Sequence, residues 1–347
     1  MSDLEGQRSE GALREGWTAR VEDYAIACAW AMRGKILLVG DVAGGIQAFD
    51  SKSGAVLWQR KGIHDGGLLA MCVHPNGRLF ATAGQNGSVL IWHTVEGKIS
   101  NELTLGSTWV EHLAWSSDGH WLAAACSRKV HVFDDSGCEK WQSETQPSTV
   151  SAVIWSTTAE LAIACYGQVT FSDVVTNVLN QTLEWKGSLV SMALSPDSDI
   201  VACGSQDNTV HFWRRSTEED SMMSGYPGKP GNLAFDRSGT LLATGGGSAV
   251  TVWSFDDGGP EGTRPESLEL HGQTISSLAF APRGLRLASG ARDGSVVLWG
   301  LQSGGQGEAI GVALMAGGVS DMAWRPDGSV LAAVNAKGIV TAWRIRS

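Results

Sequence analysis

One unit recurs along the whole chain: an apolar run, a polar turn, a second apolar run and a closing aromatic. Residues 287–299 show it plainly as Leu-Ala-Ser-Gly-Ala-Arg-Asp-Gly-Ser-Val-Val-Leu-Trp. Eight imperfect copies close on Phe49, Trp92, Phe133, Phe171, Trp213, Trp253, Trp299 and Trp343, with 38 to 46 residues between successive aromatics. Spacing that regular leaves no room for an inserted helical domain, and a period near forty is that of a β-propeller, in which each copy is a four-stranded sheet set around a central axis. The expected fold is therefore all-β: a single eight-bladed β-propeller of four-stranded antiparallel blades.

Composition follows from that architecture. The 44 glycines suit the many tight turns, and the 15 tryptophans suit the wedge between radially packed sheets. Turns between first and second strands recur as Pro-Asn-Gly, Ser-Asp-Gly, Pro-Asp-Ser, Arg-Ser-Gly, Pro-Arg-Gly and Pro-Asp-Gly, which are punctuation rather than chemistry. A net charge of −10 with no long basic run argues against general nucleic-acid binding. The N-terminus has no basic segment followed by an apolar stretch, and no apolar run is long enough for a membrane span, so a cytoplasmic location is expected. Of the six cysteines, Cys28, Cys72, Cys126, Cys165 and Cys203 lie in apolar strand segments and read as small buried hydrophobes; Cys138 sits in a polar turn.

Residues 1–16 are polar and aperiodic and read as a flexible tail, leaving 17–347 for the propeller. The last repeat ends at the C-terminus without an outer strand. Residues 17–21 alternate like a half-exposed strand, and pairing them onto the last blade would close the ring. Two segments break the rhythm: 254–265, read as a solvated loop, and 221–231, whose loop half carries Tyr226 and Lys229.

These residues resemble the WD-repeat β-propeller family, in a stand-alone, bacterial-type form with degenerate repeats. In the seventh repeat His271, Ser289, Asp293 and Trp299 stand in the family's pattern; in the second, His64, Thr82, Asn86 and Trp92 stand at the same 28, 10 and 6 residues before and up to the tryptophan. The resemblance implies that these side chains form a hydrogen-bonded chain that locks each blade. The fifth repeat keeps Asp207 and Trp213, but Trp185 takes the histidine place and Cys203 the hydroxyl place. In the sixth, Tyr226 stands where the histidine would be. Residues 48–58 and 132–141 are also similar to the tryptophan-docking repeat of eight-bladed quinoprotein propellers, but the chain lacks a vicinal cysteine pair and both segments read as blade packing.

Chemistry is sparse. The eight histidines fall at different repeat positions with no paired metal-ligand spacing, and no nucleophile elbow or phosphate loop is present. No catalytic residue, metal site or cofactor is assigned, and the chain reads as a non-enzyme. The family resemblance instead implies a binding rim, where second-to-third-strand turns and interblade loops gather. Carried over by position, its candidates are Gln85, Trp109, Arg128, Lys129, Tyr166, Gln206, Tyr226, Lys229, Arg292 and Lys337. Aromatic and arginine side chains there fit binding hot spots, because each offers a large contact area with a polar handle. The expected function is a non-catalytic scaffold, monomeric itself, that binds a protein or peptide partner. The alternative is a small-ligand, metal or enzymatic site in the central channel.

Overall fold

The computed structural model describes residues 8–346. Every strand pairing is antiparallel, and the strands form seven hydrogen-bonded sheets in a propeller: five of four strands, one of five and one of six. In chain order the sheets are built on residues 25–60, 68–104, 110–142, 152–223, 233–269, 275–314 and 319–345. The first strands of neighbouring units touch right round the axis, and Val319–Trp324 finally meets Ala25–Ala31.

The middle strands of each unit are apolar on both faces because a neighbouring sheet covers each face. Leu79–Gly84 and Ser88–His93 are buried almost throughout. Core therefore lies in the seams rather than in a central ball. One seam joins Ala81, Ala83 and Ile91 of the second sheet to Leu122, Ala124 and Phe133 of the third. Another joins Ala332, Val334 and Val340 of the last sheet to Leu37, Val39 and Phe49 of the first.

The eight separate four-stranded blades expected from the repeat are corrected to seven sheets. Val178–Leu194 runs unbroken from the outer strand of the fourth repeat into the inner strand of the fifth. The connection at 185–187 stays extended, and Tyr166 pairs with Ser188 across it, so both repeats share the six-stranded sheet. Within that sheet Glu160–Asp173 doubles back on itself: Gly167 has φ +85°, and the Val174 N–H donates to the Ala159 carbonyl at 3.0 Å. Nor is the ring closed by a ladder from sheet to sheet. The last sheet meets the first through apolar packing and side-chain bonds, among them Trp30 Nε1 to the Ala323 carbonyl at 3.0 Å and the Cys28 N–H to Asp321 Oδ2 at 2.8 Å.

The N-terminal segment is ordered further back than the boundary expected at residue 17. Leu13–Arg20 pairs with Ile339–Ile345, and before it Arg8–Gly11 pairs with Gly307–Leu314 on the neighbouring sheet. Polar composition concealed this, because a strand on an outer edge needs only a few buried anchors. Leu13 is such an anchor, fully buried with Val296, Leu298 and Trp343. Gly11, at φ +74°, lets the chain step from one sheet to the next. The part of the expected tail at residues 1–7 lies outside the described residues. The loop at 254–265 is also anchored, since Phe255 packs edge-on against Phe212 and Phe235.

Trp17 ties the N-terminal strand to the first sheet as well. Its ring stacks on Phe49 at 5.9 Å and its Nε1 donates to the Ser51 carbonyl at 3.0 Å. Trp17→Ala is expected to cost about 3–5 kcal/mol by opening this seam, measured as a lowered midpoint in urea; an unchanged midpoint would show that the seam does not limit stability.

Candidate functional site

The locking residues can be built proton by proton. An indole N–H can only donate, so Trp92 Nε1 gives its proton to Thr82 Oγ1 at 2.9 Å. The Thr82 hydroxyl then donates to His64 Nε2 at 2.9 Å, which leaves the His64 proton on Nδ1, facing Ser88 Oγ at 3.1 Å. Ser88 Oγ in turn donates to Asn86 Oδ1 at 2.8 Å. The seventh repeat has the same direction: Trp299 Nε1 to Ser289 Oγ at 2.7 Å, Ser289 Oγ with His271 Nε2 at 2.6 Å, His271 Nδ1 to Ser295 Oγ, and Ser295 Oγ to Asp293 Oδ1. The serine relays, Ser88 and Ser295, were missed in the sequence, although Asn86-Gly-Ser88 and Asp293-Gly-Ser295 mark them.

Such a one-way chain requires neutral imidazoles. Burial holds the His64 pKa below its usual value and pushes His271 down to about 4, although Asp293 opposes the shift. A proton on Nε2 would set two donors against each other at Ser289 and strand a charge among buried side chains.

The sixth repeat uses a different lock. Trp253 Nε1 donates to the Tyr226 hydroxyl at 2.8 Å, and that hydroxyl lies 2.8 Å from Thr244 Oγ1, which donates on to the Thr251 carbonyl at 3.2 Å. Tyr226 is only 9% exposed. This corrects its place among the rim candidates: its aromatic body fills the histidine position and its polar tip is used internally. In the fifth repeat Asp207 Oδ1 accepts from Thr209 at 2.6 Å, while Trp185 stacks on buried His211 at 3.6 Å and Trp213 is buried beside them. Burial also pushes His211 down to about 4.

The other rim candidates are dispersed. Tyr166 and Trp109 are the exposed aromatics, at 54% and 52%. Arg128 Nε donates to the Gln146 carbonyl at 2.7 Å, and half-buried Lys129 reaches Gln142 Oε1 at 3.5 Å. Gln206, Lys229, Arg292 and Lys337 are exposed, and Gln85 is half-buried above Gly66. Tyr166 stands between two cavities. One, of about 550 Å³, is lined by Glu111, His112, Thr149 and Leu189; the other, of about 430 Å³, by Gln168, Glu184, Trp185 and Lys186. Arg292 belongs to a separate cavity of about 450 Å³ with Tyr24, Asn232 and Ser276. His112 and Tyr24 were missed as site residues. Tyr24 could have been found from its place just before a first strand; His112 carried no signal beyond its residue type. Burial lowers the His112 pKa and so favours its neutral imidazole in the larger cavity.

Among the described residues no group of three or more His, Cys, Asp or Glu side chains could hold a metal ion, and no helix is long and apolar enough to cross a membrane. All six cysteines are free; Cys138 is exposed, and burial pushes the Cys72 and Cys203 thiols well up.

Sheets set around an axis and pinned by tryptophan-ended hydrogen-bond chains define a repeat β-propeller. The WD domain, G-beta repeat profile matches residues 60–93, 98–134, 177–214 and 262–300. The chain thus carries WD repeats over those four segments, and the same repeat spacing continues through the rest of the ring. It is 24% identical over 294 residues to actin-interacting protein 1 of Caenorhabditis elegans, covering 81% of this chain and 46% of that protein. Identity to echinoderm microtubule-associated protein-like 2 of Rattus norvegicus is 22% over 285 residues, covering 81% of this chain and 37% of the relative. The chain thus spans less than half the length of these relatives. Among solved structures it is similar to the computationally designed Ika8 protein, with a TM-score of 0.81, 20% identity and coverage of 97% of this chain and 100% of the other, a likeness of fold.

Two outcomes follow from the locks. Tyr226→Phe is expected to destabilise by about 1–3 kcal/mol, since Thr244 and the Trp253 indole lose a buried partner, whereas Tyr166→Ala leaves the denaturation midpoint nearly unchanged; equal losses would place Tyr166 in the core. The folded-state pKa of His271 is depressed, so its contribution is present above about pH 6.5, the ordinary value, and is lost as pH falls toward 4. Stability plotted against pH should therefore decline on acidification through that window, and less steeply in His271→Gln; parallel curves would show that this histidine does not carry the decline.

Proposed function

We propose that this chain is a non-catalytic interaction scaffold that docks a protein or peptide partner on the rim beside Tyr166. The observation that carries the reading is Tyr166 itself: a large aromatic, 54% exposed, with a cavity on either side. An exposed aromatic with a polar tip loses little conformational entropy on binding and buries much area, and the flanking hollows give partner side chains a place to enter. Trp109, two residues before Glu111 of the larger cavity, adds a second such anchor. The matched WD repeats support the reading, as do relatives named for interaction with actin and association with microtubules. Apart from Trp185, which packs on His211 and also lines the smaller cavity, lock and rim are separate sets of side chains, so the partner surface can change without loss of the fold.

The test is site-specific photo-crosslinking. A benzophenone amino acid is placed at Tyr166 and, as control, at Val175 in the turn ahead of Val178–Leu194, which is 64% exposed. A defined partner crosslinked in native lysate from 166 but not from 175, and competed by unlabelled wild type but not by Tyr166→Ala/Trp109→Ala, is the expected result. Identical crosslinking from both positions would overturn the reading.

A further inference from the structure

We infer that a cleft between the third sheet and the fourth repeat, bordering the smaller rim cavity at Gln168, is a binding site for a neutral sugar. It opens between the outer strand Glu139–Gln142 and the face of the fourth repeat, and has a volume of about 460 Å³, within the range of small-ligand sites.

The repeat itself shows that this face is unusual. The residue just before each closing aromatic is buried, and in seven of the eight repeats, from Ala48 to Ala342, it is apolar. In the fourth it is Thr170. That side chain is 5% exposed and lines the cleft, yet its hydroxyl has no hydrogen-bond partner among the described residues. A buried hydroxyl left unpaired costs free energy that an alanine or valine would avoid, so it is a group waiting for an acceptor or donor that enters the cleft. Residues alternate across a sheet, so Gln168 and Ser172 share its face, and Thr182 is its partner on the next strand. The outer half of this face is thus polar where other repeats present packing surface.

The opposing wall is aromatic. Trp141 is half-buried along the cleft, and its Nε1 donates to Asn177 Oδ1 at 2.7 Å, fixing the ring across the end of the cleft. Val178 and Leu179, both at least half exposed, form an aliphatic ledge at the mouth.

These chemical requirements point to one ligand class. No lysine or arginine lines the cleft and Glu144 is its one charged group, so neither an anionic nor a polycationic ligand is complemented. Amides and hydroxyls both donate and accept, as the hydroxyls of a pyranose do, while the C–H face of the ring suits an indole plate.

The probes are glucose, galactose, mannose and maltose at millimolar concentration, followed by saturation-transfer NMR and tryptophan fluorescence on the full chain. Saturable binding of at least one neutral sugar is expected, weakened about fivefold by Thr170→Val, the loss of one hydrogen bond, and abolished by Trp141→Ala. Thr170→Val keeps the side-chain shape and removes the orphan hydroxyl, so its melting temperature is not lowered; this separates lost binding from lost folding. No saturable signal from any of the four sugars, equal binding by Thr170→Val, or tighter binding of glucose 6-phosphate or adenosine would overturn the assignment. Because Tyr166 is not in this cleft, failure here leaves the rim reading standing, and the reverse holds.

Discussion

Everything in this molecule depends on the burial of both faces of every sheet. A strand such as Leu79–Gly84, apolar on each side, is an aggregation hazard unless neighbouring sheets cover it, and in a ring each neighbour makes the same demand. The demand ends only when the last sheet finds the first. That seam joins residues more than 290 positions apart, through Trp30 to Ala323 and Cys28 to Asp321, and is reinforced by Trp17 from an N-terminal strand paired with the last sheet. The chain ends are therefore tied together by strand pairing as well as by packing, with Arg8–Gly11 adding a second tie to the adjacent sheet.

The hydrogen-bond locks show how a repeat diverges without losing its geometry. Each begins at an indole that can only donate and ends at an oxygen that can only accept, so the groups between them pass protons in one direction. His64 and His271 satisfy that as neutral rings, and burial keeps them neutral. Tyr226 satisfies it with one hydroxyl that accepts from Trp253 and stands beside Thr244. What matters is an acceptor for the indole at one point in space. The fifth repeat fills the histidine position by stacking Trp185 on His211 instead.

Much of this was legible in the residues. The aromatic period marked the propeller, and the shared spacing of His64, Thr82, Asn86 and Trp92 with His271, Ser289, Asp293 and Trp299 marked the locks, because a local turn and a fixed strand length put those groups together wherever the repeat folds. Tyr226 was only half legible. Its alignment with histidine was visible, but whether a tyrosine beside a Pro-rich loop points inward depends on the space its neighbours leave. The merging of the fourth and fifth repeats into one sheet was not legible at all, since it rests on Tyr166 pairing with Ser188 across a junction that stays extended although Gly187 lies in it. The candidate rim suffered likewise: position in the repeat named its members, but only their placement showed Tyr166 between two cavities and Arg292 in another.

By itself the sequence determined the repeat unit, the strands within it and the side chains that pin each unit, because those follow from short-range periodicity and from which groups can donate or accept. The tertiary structure alone decided how units join: seven sheets, an ordered strand at residues 8–11, an inward Tyr226, and a polar cleft around Thr170. The physical reason is that burial and hydrogen-bond satisfaction at a junction belong to two sheets at once, and the residues that supply them lie about forty positions apart or at opposite ends of the chain.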